Sequence, residues 1–83
     1  MITTVHKPVL NVKGLPQSYL SAPLARVHRE LPGAALYLPQ SDGKAYRLTS
    51  VAIVGSAATV TFRQDGQERK QLVSAQTRVF AYF

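Results

Sequence analysis

The chain has 83 residues, 46% of them hydrophobic and 17% charged, a balance that fits one globular domain spanning residues 1–83 and excludes a disordered chain. Ten Lys and Arg against four acids give a formal charge of +6, which biases the surface toward polyanions: nucleic acid, an anionic membrane or an acidic protein. With no cysteine in the chain, disulfides and thiolate chemistry are excluded, and a reducing, cytoplasmic setting is the expectation.

No apolar run is long enough for a membrane-spanning helix, so no membrane partner is expected. A domain of this size buries about 60–65% of its unfolded surface. Much of the apolar content is Ala and Val and there is no Trp, so the core is thin. Self-association, most simply a homodimer, would add to it.

Residues 1–17 read as an N-terminal arm or edge strand. Pro8 opens the run Val9-Leu10-Asn11-Val12, and Gly14 and Pro16 end it. Residues 21–31 read as the one short α-helix. Ser21 is the expected cap, Pro23 falls in the first turn, and Leu24, Val27 and Leu31 share one apolar face. Pro32-Gly33 stops it.

From Gly33 the period changes to that of strands. Ala34–Leu38 is the first, followed by a turn at Asp42-Gly43. Ala45–Val54 is long, and its apolar phase changes around Thr49-Ser50, which predicts a bulge or bend. Gly55-Ser56-Ala57 turns the chain. Ala58, Val60 and Phe62 then alternate with Thr59, Thr61 and Arg63, the pattern of a half-buried strand. Asp65-Gly66 is a hairpin turn, Glu68–Val73 the return strand, and Arg78–Tyr82 the last. Five short antiparallel strands over residues 33–83 predict a mainly β fold: a five-stranded barrel whose closure removes exposed edges, with the helix over one end.

Gly33-x3-Tyr37, then Asp42-Gly43-Lys44-Ala45-Tyr46-Arg47, Val51-x-Ile53, and Val60-Thr61-Phe62 with Asp65-Gly66 form a pattern. It resembles the Tudor-like branch of the SH3-like barrels over roughly residues 33–80. The resemblance implies an SH3-like barrel acting as a binding module. Tudor domains that read methylated Lys or Arg use an aromatic cage. Tyr46 and Phe62 fall at cage-like positions, while Ala45 stands where the pattern often has an aromatic. The order of one helix and five strands is also similar to that of Sm-like proteins, although their second-strand glycine and Asp-x-x-Asn loop are missing here.

No nucleophile elbow, P-loop or glycine fingerprint occurs. His6 and His28 stand apart with no Cys and no carboxylate pair beside them, so neither a metal nor another cofactor is expected. Asp42 and Asp65 are explained as turn residues. The expectation is therefore a non-catalytic binding module, a basic small barrel engaging nucleic acid or an acidic partner. Lys44, Arg47, Arg63, Arg69, Lys70 and Arg78 are the candidate contacts. The alternative is a protein-interaction or homo-oligomeric assembly module. Its interface would be the aromatic C-terminal strand, through Phe80, Tyr82 and Phe83.

Overall fold

Alternation of apolar and polar residues builds most of this protein. The structure, a computed structural model, describes residues 9–14 and 19–82. It is mainly β: seven strands and one helix, in the order β1 (Val9–Asn11), β2 (Leu20–Pro23), α1 (Leu24–Glu30), β3 (Ala35–Pro39), β4 (Lys44–Val54), β5 (Ala57–Gln64), β6 (Gln67–Ser74) and β7 (Arg78–Tyr82). A single 3-10 turn, Val12–Gly14, follows β1. His6 and Phe83 lie outside the described residues.

All pairings are antiparallel, and the sheet runs β2-β7-β3-β4-β5-β6, with β1 pairing the start of β4. This differs from a closed five-stranded barrel. Closing the five strands β7-β3-β4-β5-β6 would require β6 to meet the outer edge of β7. That edge is taken by β2, where Leu20, Ser21, Ala22 and Pro23 pair Ala81, Phe80, Val79 and Arg78. The sheet therefore stays open between β2 and β6.

The helix is shorter than its apolar pattern suggests. Ser21–Pro23 belongs to β2, because Pro23 holds an extended backbone, φ −60° and ψ 139°, and the helix begins after it. Ser21 makes no cap. Instead the β6–β7 turn satisfies the first helical amides: Leu24 N–H donates to the Thr77 carbonyl at 2.8 Å and Ala25 N–H to the Ala75 carbonyl at 2.9 Å.

The expected bend in β4 is present. Leu48 pairs Phe62 and Ser50 pairs Thr61, so Thr49 is the extra residue of a bulge, and its hydroxyl donates to the Thr61 carbonyl at 3.2 Å. At the β5–β6 hairpin Asp65 and Gly66 both have positive φ, 53° and 78°, the conformation of a type I′ turn.

The bent sheet has a hydrophobic cluster on each side. Inside lie Leu24 and Val27 of α1, Leu36, Leu38, Tyr46, Leu48, Val60, Phe62, Val79 and Ala81. On the other side, Leu10, Ala35, Tyr37 and Ala45 are buried, with Val12, Tyr19 and Phe80 packed on them. Both faces of β3 are thus covered, and Tyr37 is wholly buried. Leu10 and Tyr19 show that the N-terminal segment supplies the second cover.

Candidate functional site

The six cations singled out in the sequence fall into separate neighbourhoods. Arg63, Arg69 and Lys70 gather on the β5–β6 hairpin, whose strand β5 is itself paired to β4 as far as Phe62. Its register places Phe62 opposite Arg69, Thr61 opposite Lys70 and Arg63 opposite Glu68. Arg63 and Lys70 therefore share the outer face as diagonal neighbours, roughly 7–8 Å apart at Cα. Arg69 points to the other face, on the line of Phe62. All three are exposed. The Arg63 guanidinium donates to the Gly66 carbonyl at 2.8 Å, which fixes it over the turn. Glu68 and Asp65 are the acids of this hairpin, so it carries an excess of positive charge.

The other three cations serve different surroundings. Lys44 opens β4 opposite Asn11. Arg47, half-buried, pairs Tyr37 on the β3 side. Arg78 donates to the Ser21 carbonyl at 3.2 Å across the β2 edge.

Tyr46 and Phe62 meet at 5.5 Å between ring centroids but are buried in the interior cluster. They form core, not an open cage. The Tyr46 hydroxyl donates to Asp42 at 2.6 Å and accepts from Gln64 at 3.3 Å. Asp42 also accepts from the Lys44 N–H at 2.9 Å. The Tyr46 hydrogen bond, with that backbone amide, holds the Asp42 carboxyl below its ordinary pKa, and the carboxylate pushes the Tyr46 phenol up. Asp42 is therefore a turn anchor.

Strand β7 lies inside the sheet, between β2 and β3. Phe80 and Tyr82 are half-buried. Tyr82 stacks on Tyr19 at 4.8 Å with an interplanar angle of 28°, and Tyr19 meets Tyr37 edge-on at 5.7 Å. The aromatic face that the sequence leaves outside a barrel is covered by the chain's own N-terminal segment. Tyr19 has no apolar periodicity around it to mark this role, so sequence reasoning missed it.

Among the clefts lined by described residues are two. One, about 170 Å³, lies between the helix exit and the β4 bulge, lined by His28, Leu31, Arg47, Thr49 and Ser50 among others. The second, about 410 Å³, lies along β2 and α1, with Arg26, Glu30 and Arg78 at its rim. Neither places a nucleophile beside a base. No group of three or more His, Asp or Glu fit to hold a metal occurs among the described residues. Among the described residues no helix is long and apolar enough to cross a membrane.

Comparison with protein-family models, with curated proteins and with solved structures returns no match.

Proposed function

We propose that this protein is a non-catalytic binding module that engages a polyanion, either nucleic acid or an acidic partner, through the β5–β6 hairpin. The observation that carries this reading is the gathering of Arg63, Arg69 and Lys70, all exposed, on one hairpin of a chain with formal charge +6. Clustered cations on one element raise the local potential far more than the same charges dispersed. A long bent β4 shared between two layers, with β3 between β4 and β7, supports reading β3–β7 as the SH3-like (Tudor-like) unit of the resemblance, opened by β2.

Binding of labelled single- and double-stranded oligonucleotides and of polyglutamate at about 50 and 200 mM salt tests this. Three phosphate contacts give a log–log salt slope of about −2.1 to −2.7, hence a loss of about 20- to 40-fold across that range. The triple variant R63Q/R69Q/K70Q should lose both the affinity and the slope. Unchanged binding by that variant overturns the assignment to the hairpin. No binding of any polyanion at the lower salt overturns the function.

A further inference from the structure

The two ends of the open sheet are not alike. At the β2 end, the Leu24–Thr77 hydrogen bond continues the β2–β7 ladder, so Ala22 and Leu20 direct their backbone groups inward to β7. Ser21 and Pro23 face outward. Pro23 has no N–H, and the Ser21 carbonyl is occupied by the Arg78 guanidinium. This edge is blocked by the devices that protect natural edges.

The β6 end carries charged side chains, Glu68, Arg69 and Lys70, but among the described residues no proline and no strand covers its backbone. In a two-residue type I′ hairpin the pair flanking the turn is hydrogen-bonded, here Gln64 with Gln67. The alternation that follows turns the N–H and C=O of Arg69, Gln71 and Val73 inward to β5. Those of Glu68, Lys70 and Leu72 turn outward to solvent. Ser74, next in this series, gives its carbonyl to Thr77 N–H at 3.0 Å. Three consecutive outward residues thus present a donor and an acceptor each along a regular edge. Leu72, 72% exposed, stands at the end of it.

A second copy meets opposed like charges in two of the antiparallel registers open to it. The antiparallel self-pairing that uses all three outward residues sets Glu68 opposite Leu72 of the copy and Lys70 opposite Lys70 of the copy. Directly opposed like charges destabilise a sheet. Shifting by one pair to match Glu68 with Lys70 sets Arg69 against itself and loses a third of the hydrogen bonds. An acidic strand that sets a carboxylate opposite Lys70 and an uncharged residue opposite Glu68 avoids opposed like charges and lies beside Arg69 as well.

We propose that the β6 edge accepts an extended acidic segment of a partner protein as an additional strand, with Glu68, Lys70 and Leu72 supplying the backbone hydrogen bonds and Arg63, Arg69 and Lys70 selecting for acid. This rests on the binding-module reading and names its partner class. Main-chain pairing supplies the affinity and the flanking side chains the specificity.

The test uses two fluorescent peptides of equal length and charge. One alternates Glu with Thr and Val; in the other, Pro replaces every third residue and forbids strand pairing. The alternating peptide should bind at least tenfold tighter. On its binding, amide exchange should slow at Glu68, Lys70 and Leu72, with Arg69, Gln71 and Val73 already protected in the free protein. L72P removes one edge donor and no charge, and should weaken the alternating peptide at least tenfold; L72A should stay within about twofold. Equal binding of both peptides overturns the edge and leaves the polyanion reading standing. So does oligonucleotide binding that leaves these amides unprotected and displaces the peptide. Concentration-dependent protection of the three amides in free protein overturns it in favour of a second copy. Failure of every acidic probe overturns both readings. Should L72P not fold, the amide pattern in the unaltered protein decides.

Discussion

The ring stack that Tyr19 makes across β7 ties the N-terminal segment to the sheet, and its removal has a calculable cost. Tyr19 forms two aromatic pairs, with Tyr82 at 4.8 Å and Tyr37 at 5.7 Å. Each such pair contributes about 0.5–1.5 kcal/mol beyond area burial. Exposing the partner rings and losing the half-buried side chain add about 1–2 kcal/mol. Tyr19→Ala should therefore destabilise the fold by about 2–5 kcal/mol. Tyr19→Phe should behave oppositely. The Tyr19 hydroxyl is buried without a hydrogen bond of good geometry. Burial pushes its pKa up, and the nearby Tyr37 hydroxyl offsets only part of that. An unsatisfied buried hydroxyl costs about 1–3 kcal/mol, so the phenyl ring should leave stability unchanged or raise it by about 1 kcal/mol. Urea unfolding read by circular dichroism measures both, with unchanged m-values as the check that the transition stays two-state. The stacking argument is refuted if Tyr19→Ala loses less than about 0.5 kcal/mol, or if Tyr19→Phe loses as much as Tyr19→Ala.

Other expectations follow from single features of the fold. Leu24→Ala, at a wholly buried position where α1 meets the interior cluster, should cost about 2–5 kcal/mol in the same assay. Gly66→Ala places a side chain at φ +78° and should cost about 1–2 kcal/mol, whereas Gly33→Ala, with open space and no positive φ, should be nearly neutral. Because the folded Asp42 pKa lies below its unfolded value, its contribution is present above the ordinary carboxylate range and is lost as pH falls through the lowered folded value. Tyr46→Phe removes the largest cause of that shift. A pH series of thermal unfolding should therefore show a shallower acid-side loss for this variant than for the unaltered protein.

Local rules made most of the strands readable. Ala58, Val60 and Phe62 against Thr59 and Thr61 fix β5 and its inward face. Asp65-Gly66 fixes the tight turn after it. The phase change at Thr49 marks the bulge, since a one-residue slip exchanges the two faces of a strand. The site is legible only in part. Arg63, Arg69 and Lys70 are near neighbours in sequence, and a hairpin keeps them so. Arg47 and Arg78 were equally basic in the sequence, yet one lies against Tyr37 and the other against the Ser21 carbonyl.

What the sequence determined by itself was periodicity and turn chemistry: an antiparallel β chain, a bend in its longest strand and a basic hairpin. These depend on neighbours a few residues apart. Tertiary structure decided which edges are free. Ser21–Pro23 carried a helix-start signal, and its pairing with β7, more than fifty residues away, made it a strand instead. That single long-range contact keeps the sheet open and leaves β6 as its other edge among the described residues. Distant segments compete for the same backbone groups, and local sequence does not specify which of them wins.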